Sequence, residues 1–500
     1  MIYNFNLGIG WASSGVEYAQ KYRANVFRRI GAPAKFLFMD MFPTENIEHL
    51  TSNLGFLDEE VLWLYTFFTD NRIQRVSYTL KDVEESLPDR EYTYCREGKT
   101  GKILFGGNDF YTLYFVNETE ELVHRMELVS KGCLIRKDYF TDRRVYSEYY
   151  APLDGRAHLY QRRFFHQDGT TAYEELIDND FVTYRMKDAI LYSKEELVGY
   201  LVRSLKLTRE DIVLVDRATG IGQAILENAS PARIGVIIHA DHFSENSANE
   251  DRILWNNYYE YMFHHHKHVD FYVTATEAQK KLLEQQFVET YGICPKVYAI
   301  PVGSIDSLTK EETGKPCSLI TASRLASEKH IDWLIRAVSL VHETYPGVTL
   351  DIYGEGKEEA VLRQLIEECN ARDYIRLMGQ HDLSLVYPKY QAYVAASLSE
   401  GFGLTLLEAV GAGLAMKGFD VRYGNPTFIA DGKNGYLLPD DKDMTGKQRV
   451  ELLKEAICRM FEKDDIRDMK QASYEIAKEY LTEKVEAKWK NLISEQQSFC

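Results

Sequence analysis

Residues 395–414 read A-A-S-L-S-E-G-F-G-L-T-L-L-E-A-V-G-A-G-L. The apolar run Ala392 to Ala396 predicts a buried parallel strand. It ends in Ser-Leu-Ser, and Glu400, Gly401, Phe402 and Gly403 follow. Leu404 to Val410 then reads as a helix, with Gly411 and Gly413 near its end. Two glycines at a strand-to-helix turn let backbone N–H groups come close to a ligand. The helix N-terminus behind them favours an anion such as a diphosphate. Glu400 lies in the loop and Glu408 one turn into the helix, so two carboxylates flank the anion site as acceptors for sugar hydroxyls. An ordinary strand–turn–helix crossover shares this local pattern, so its meaning depends on the rest of the chain.

Five hundred residues suggest about two to four domains. A net charge of −17 argues against nonspecific nucleic-acid binding and a broadly basic membrane face. Seven cysteines are scattered without a C-x-x-C pair, as suits reduced thiols in a cytosol. The N-terminus lacks a signal peptide's basic and apolar regions. No run approaches the ~18 apolar residues of a membrane span. The expected location is cytoplasmic, with at most peripheral association at the inner membrane face.

Taken from its start, the chain opens as strand (Ile2 to Ile9), glycine-punctuated loop and helix (Val16 to Ile30), the beginning of a Rossmann-like unit. Lys35 to Met41 is a second strand. From about Val76 to Met186 the rhythm changes to short segments rich in Tyr, Phe and Val, with turns at Gly106-Gly107-Asn108-Asp109, Asp154-Gly155 and Asp168-Gly169. That pattern predicts antiparallel hairpins in an inserted β-meander. One packed face leaves the other rich in Tyr, Arg and Lys. Such a surface suits a protein partner and equally an ordinary amphipathic sheet covering a helix.

The α/β rhythm resumes near Leu191. Ser193 caps a helix reaching Leu205. D-I-V-L-V-D-R is a strand, and A-T-G-I-G-Q-A is read as a loop. In I-G-V-I-I-H-A-D-H-F-S-E-N (Ile234 to Asn246), His239 ends an apolar strand where ligands bind, with His242 as a competitor. A structural histidine is the alternative for either. His264 to His268 point in different directions on a helix and make a poor zinc cage. Phe271 to Thr276 is a strand, Glu277 to Phe287 a helix, and K-V-Y-A-I-P-V-G the last strand of this half. Ser304 to Pro316 reads as a linker. Then come S-L-I-T-A-S-R-L-A-S-E-K-H-I-D-W-L, L-D-I-Y-G-E-G and Y-I-R-L-M-G-Q-H-D-L. Amphipathic helices follow to about Gln496.

Together these strings resemble family 4 retaining glycosyltransferases, through the E-x7-E spacing of Glu400 and Glu408 and the R-L-x-x-E-K pattern of Arg324 and Lys329. Ser323 and His330 stand where that family commonly has glycine. The resemblance implies a GT-B fold, an α/β architecture of two Rossmann-like domains facing a cleft, here with the antiparallel β-meander inserted in the first domain. The implied division is 1–75 and 191–303 for the first domain, 76–190 for the insert, 304–480 for the nucleotide-sugar domain, and 481–500 for a helix crossing back. It implies that Arg324 and Lys329 clasp the diphosphate, whose growing charge needs fixed cations. Glu400 and His239 would complete the catalytic set. UDP would rest on Gly15, Val16, Glu17, Tyr18, Gln380, His381, Leu404, Thr405 and Glu408, besides the two cations. The sugar would rest on His239, Glu400, Gly401, Phe402 and Gly403.

A narrower resemblance spans nearly the whole chain. N-L-G-I-G-W-A-S-S-G-V-E-Y-A-Q, G-F-L-D-E-E, A-D-H-F-S-E-N and D-G-K-N-G-Y-L-L-P look like the catalytic component of the accessory-secretion glycosyltransferase complex of Gram-positive bacteria. It implies transfer of N-acetylglucosamine from UDP-GlcNAc to Ser and Thr of serine-rich adhesins, with the noncatalytic component of the same hetero-oligomeric complex as partner. No cofactor and no metal are expected. Asp178 to Asp180 fall in the insert and Asp441 to Asp443 in a polar loop, and neither forms a metal-bridging diphosphate motif. Composition and spacing leave open a small sugar or lipid acceptor, and a noncatalytic adhesin-binding chaperone.

Overall fold

The computed structural model describes residues 1–9, 15–244, 253–309, 314–463 and 466–498. It forms two compact units. The first holds Met1–Ile237, Trp255–Phe271 and Gln496–Cys500, and the second Ile238–Leu254 and Tyr272–Glu495.

In the first unit, Ile2–Asn6 lies between Ile212–Val215 and Ala34–Phe38, parallel to both. Val61–Trp63 and Arg233–Ile238 extend the two sides. In the second unit's part of the chain, Phe271–Thr274 pairs in parallel with Val297–Ala299. Strands buried on both faces need apolar side chains at successive positions, which is why I-V-L-V and F-Y-V-T are buried throughout. The first helix, Gly15–Arg29, is pinned to the sheet by a buried ion pair, Arg23 to Asp216 at 2.5 Å, with the Arg23 Nε donating to Asn4 at 3.0 Å.

Between Val61–Trp63 and Ile212–Val215 the chain builds the expected meander, ten strands from Thr93–Glu97 to Ile190–Leu191, hydrogen-bonded in sequence order. Asp154 (φ 49°) and Gly155 (φ 72°) make the turn between Arg144–Leu153 and Arg156–Phe165. Two consecutive left-handed residues match the strand twist. The packed face of the sheet is not purely apolar. Tyr139, Tyr146, Phe164 and Tyr173 share one face by register. Tyr146 and Phe164 pack on Trp63 and Tyr65. The same face carries a buried network in which Arg162 donates to Glu148 (2.9 Å) and Glu175 (2.8 Å). The opposite face holds Asp138, Ser147, Arg163 and Glu174. Aromatic and charged residues therefore alternate along the packed face, and the opposite face carries Arg136, Tyr149 and Arg163.

The second unit contains a six-stranded parallel sheet. Its order is Ile375–Gly379, Thr349–Tyr353, Ser318–Ala322, Ala392–Val394, Ala415–Phe419, Gly435–Leu438. The strand order reverses between Ser318–Ala322 and Ala392–Val394, and ligands of open α/β sheets bind outside the carboxyl ends at such a reversal. Helices Ile331–Thr344 and Gly446–Lys463 cover one face through Leu334, Val338, Leu453 and Ile457. Helix Leu404–Gly411 covers the other through Leu406, Leu407 and Val410, each contributing about 1.5–3 kcal/mol by burial. Helix Thr482–Ser498 follows a stretch bonded to residue 305. The Ile305 amide donates to Tyr480 and the Thr482 amide to Ile305, and Tyr298 donates to Glu495 at 2.6 Å.

Two local expectations change. A-T-G-I-G-Q-A is not all loop, because helix Gly222–Asn228 starts within it once the Gly222 amide bonds Ala218. The helix from Glu277 runs one turn further, to Tyr291, and stops at Gly292 with φ 69°.

Candidate active site

Strand Ser318–Ala322 delivers the loop of Arg324 to the reversal point. Its path is held by two neighbours that lack side chains. A Cβ on Gly354 would lie 1.9 Å from the Ser323 carbonyl oxygen, and one on Gly356 2.2 Å from that of Leu325. Main-chain bonds from Ser323 to Tyr353 and from Leu325 to Glu355 close the seam. After the turn Ser327–Lys329, His330 is left-handed with φ 47°. That conformation explains why glycine suits the position. Here the imidazole instead stacks on Trp333, with centroids 3.8 Å apart and planes 7° apart.

The second loop comes from strand Ala392–Val394. The Glu400 amide donates to the Arg422 carbonyl, and the Glu400 carbonyl accepts from Tyr423 and Gly424. Gly403, with φ 85°, opens helix Leu404–Gly411. The two loops meet where Lys329 Nζ donates to Glu400 Oε2 at 2.7 Å, with side chains 15% and 24% exposed. Arg324 does not join them. It is 77% exposed and bonds Glu328 at 3.1 Å, an ion pair within its own loop.

Tyr393 ties the strand ends together. Its hydroxyl donates to the Ala322 carbonyl at 2.9 Å and so accepts from Thr405 at 3.0 Å. Burial pushes its pKa up to about 12, which keeps it a neutral donor. Glu408 accepts from the Tyr387 hydroxyl at 3.1 Å. As a residue it is exposed, but its carboxyl end is packed closely enough that desolvation raises its pKa, with the Tyr387 bond opposing. Phe402 follows in the Glu400 loop. Its ring is buried against Phe428 and Tyr480, so it offers the site only its backbone. Leu404 is half-exposed, and a Cβ on Gly303 would meet it. Gln380 and His381 are exposed just after Ile375–Gly379, and His381 Nε2 bonds the Met378 carbonyl at 2.9 Å.

His239 directly follows strand Arg233–Ile238 and is half-buried. Gly401 passes close to it, since a Cβ there would lie 3.5 Å from the His239 carbonyl oxygen. His242 is the structural histidine. It is fully buried, bonded to Gln286 at 2.7 Å and Tyr423 at 3.3 Å, with its pKa pushed down to about 4, chiefly by burial. Gly15, Val16, Glu17 and Tyr18 form the first turn of helix Gly15–Arg29 in the first unit; Glu17 is buried and Tyr18 exposed. Residues 10–14 of that glycine loop lie outside the described residues, as do 245–252 and, within the linker, 310–313. Among the described residues no group of three or more His, Cys, Asp or Glu could hold a metal ion. His264, His265 and His266 bond carbonyls of their own turns.

Sequence reasoning passed over Tyr387, Tyr393, Arg422 and Asp241. The signal for the first two was present: a tyrosine inside the apolar run A-Y-V and another in Y-P-K-Y need partners for their hydroxyls.

Residues 93–188 match the family described as GtfA extended beta-sheet domain, and residues 316–460 match glycosyl transferases group 1. The chain is 52% identical to the UDP-N-acetylglucosamine–peptide N-acetylglucosaminyltransferase GtfA subunit of Streptococcus gordonii, over 99% of this chain and 98% of that protein. It is 49% identical to the protein of the same name from Streptococcus pneumoniae, over 99% of each. A chain of a crystal structure of a GtfA/B complex superposes with a TM-score of 0.97 at 52% identity, covering 100% of both chains. The pneumococcal O-GlcNAc transferase GtfA in complex with UDP and GlcNAc superposes with a TM-score of 0.88 at 48% identity, covering 99% of this chain and 98% of that one.

Proposed function

Because this chain belongs to the GtfA family of UDP-N-acetylglucosamine–peptide N-acetylglucosaminyltransferases, we propose that it moves N-acetylglucosamine from UDP-GlcNAc to serine and threonine hydroxyls of a serine-rich adhesin before export. It works with the noncatalytic component of the same complex, as its relative in the GtfA/B structure is found in a complex. The reaction runs in the cytoplasm, with at most peripheral contact at the inner membrane face. No helix of the described residues is long and apolar enough to cross a membrane.

The observation that carries this reading is the meeting of Lys329 and Glu400 at the strand-order reversal. The acceptor hydroxyl attacks the anomeric carbon on the face from which the diphosphate leaves. The new C–O bond forms as the carbon–phosphate-oxygen bond breaks, and the leaving phosphate oxygen takes the hydroxyl proton. Charge grows on that phosphate. Lys329 turns to it from Glu400, Arg324 reaches it from its exposed position, and the N–H groups of Leu404 and Thr405 point along the helix dipole. Glu400, released, accepts from sugar hydroxyls. His239 braces the donor, Glu408 holds the ribose, and main chain at Gln380 and His381 faces the base. Gly401 and Gly403 admit the sugar. The scheme needs no metal.

Transfer of label from UDP-GlcNAc to a Ser/Thr-rich peptide, by the complex with its noncatalytic partner, tests the reading. Lys329→Ala is expected to lose about 100-fold or more in rate. Undiminished transfer by that variant would refute the assignment.

A further inference from the structure

Helix Leu404–Gly411 carries Thr405 and Glu408 three positions apart, and so on one face. Two tyrosines meet that face. Tyr393 accepts from Thr405 at 3.0 Å, and Tyr387 donates to Glu408 Oε2 at 3.1 Å. Their rings lie 6.4 Å apart, and both are buried. Tyr393 belongs to the frame of the fold, since its own proton goes to the Ala322 carbonyl. Tyr387 differs, because its proton goes to the side chain that would hold the ribose.

The chain around Tyr387 is built to aim it. The residue opens the turn Tyr387–Lys389, and Pro388 fixes the backbone that follows. Its amide donates to Leu383 at 3.1 Å, and its carbonyl accepts from Tyr390 at 3.0 Å. Burial holds the Tyr387 pKa well above its ordinary value, so the hydroxyl stays a donor. Glu408 needs one. Desolvation raises its pKa, the Tyr387 bond lowers it, and the charge of Asp382 raises it again. A protonated Glu408 would present a donor to a ribose hydroxyl that is itself a donor. A carboxylate has about four lone-pair sites. With one on Oε2 taken by Tyr387, the remaining sites are free for two hydroxyls, and one oxygen is fixed before the nucleotide arrives.

We propose that Tyr387 is a positioning residue for nucleotide selection: by fixing Oε2 of Glu408 it lets the carboxylate accept from both ribose hydroxyls, so that the site separates UDP from 2′-deoxy-UDP. This rests on the reading of Glu408 as the ribose acceptor given above.

Titration calorimetry with UDP and with 2′-deoxy-UDP, on the complex with the noncatalytic partner, tests it. The wild-type protein is expected to bind UDP about tenfold more tightly. Tyr387→Phe keeps the buried ring and should narrow that ratio by about fivefold, through weaker UDP binding. Tyr393→Phe removes a hydroxyl from the same cluster but no bond to Glu408, so it should keep the wild-type ratio. In a Glu408→Ala background, Tyr387→Phe should change the ratio no further. If Tyr387→Phe weakens both nucleotides by one factor, while Glu408→Ala abolishes the preference, Tyr387 serves packing alone and the proposal is refuted. If Glu408→Ala itself keeps the wild-type ratio, the ribose assignment fails and takes the proposal with it.

Discussion

Replacing Glu400 by glutamine should move UDP binding and sugar transfer in opposite directions. Glu400 holds Lys329 at 2.7 Å, the cation expected to grip the diphosphate. The bare attraction at that distance is about 6 kcal/mol at an effective dielectric of 20. Desolvation and side-chain ordering cancel most of it. With side chains 15% and 24% exposed, a net value of about 1 kcal/mol follows. UDP must displace this pairing to reach Lys329. A glutamine at 400 fills the same volume but has no charge to hold the ammonium, so UDP should bind about fivefold more tightly. Transfer should nevertheless fall about 10- to 100-fold, since hydrogen bonds from sugar hydroxyls to a charged acceptor contribute about 1.5–3 kcal/mol. Titration calorimetry with UDP and label transfer to peptide, on the same preparation of the complex, give both numbers. If Glu400→Gln weakens UDP binding in step with transfer, Glu400 does not compete for Lys329 and the reasoning fails.

EDTA should leave transfer intact, and a strict requirement for added Mn²⁺ would refute the metal-free scheme. Gly354→Ala should lower stability by about 3 kcal/mol, through a φ of 127° that alanine resists and a Cβ 1.9 Å from Ser323; an unchanged urea midpoint would contradict the seam. His242 supplies a pH signature. Its pKa is about 4 in the fold against about 6.5 unfolded. The unfolded chain therefore binds the extra proton first, and stability is lost as pH falls from about 6.5 toward 4. By pH 5 the loss is about 2 kcal/mol. His242→Phe should lack that share of the slope in urea titrations at pH 7 and pH 5, and equal slopes in the two proteins would refute it.

The parts legible in the sequence were those written locally. Strands buried on both faces leave unbroken apolar runs, Asp-Gly turns mark hairpins, and the E-G-F-G loop carries its own conformational needs. Glu400 and Lys329 could each be singled out, but not their contact, since 71 positions separate them and only the strand order brings them together. Arg324 shows the reverse. Its motif keeps both basic residues, and local geometry supplies a partner four residues away. His239 and His242 could not be sorted by pattern, because burial of the second depends on Gln286 and Tyr423, which arrive from distant segments. The bond from Ser399 to Asp241 was hidden for the same reason, since 158 positions separate the two. In the meander, period-two alternation identifies strands but does not tell a charge facing water from one buried against an arginine.

The left-handed turn at His330 bears on how Lys329 is aimed. Glycine at that position would sample many shapes before folding and would keep some looseness afterwards. An imidazole lying flat on an indole removes that looseness in advance. The ammonium next to it is thus presented by a stiffened support, and little disorder is left to suppress when an anion arrives.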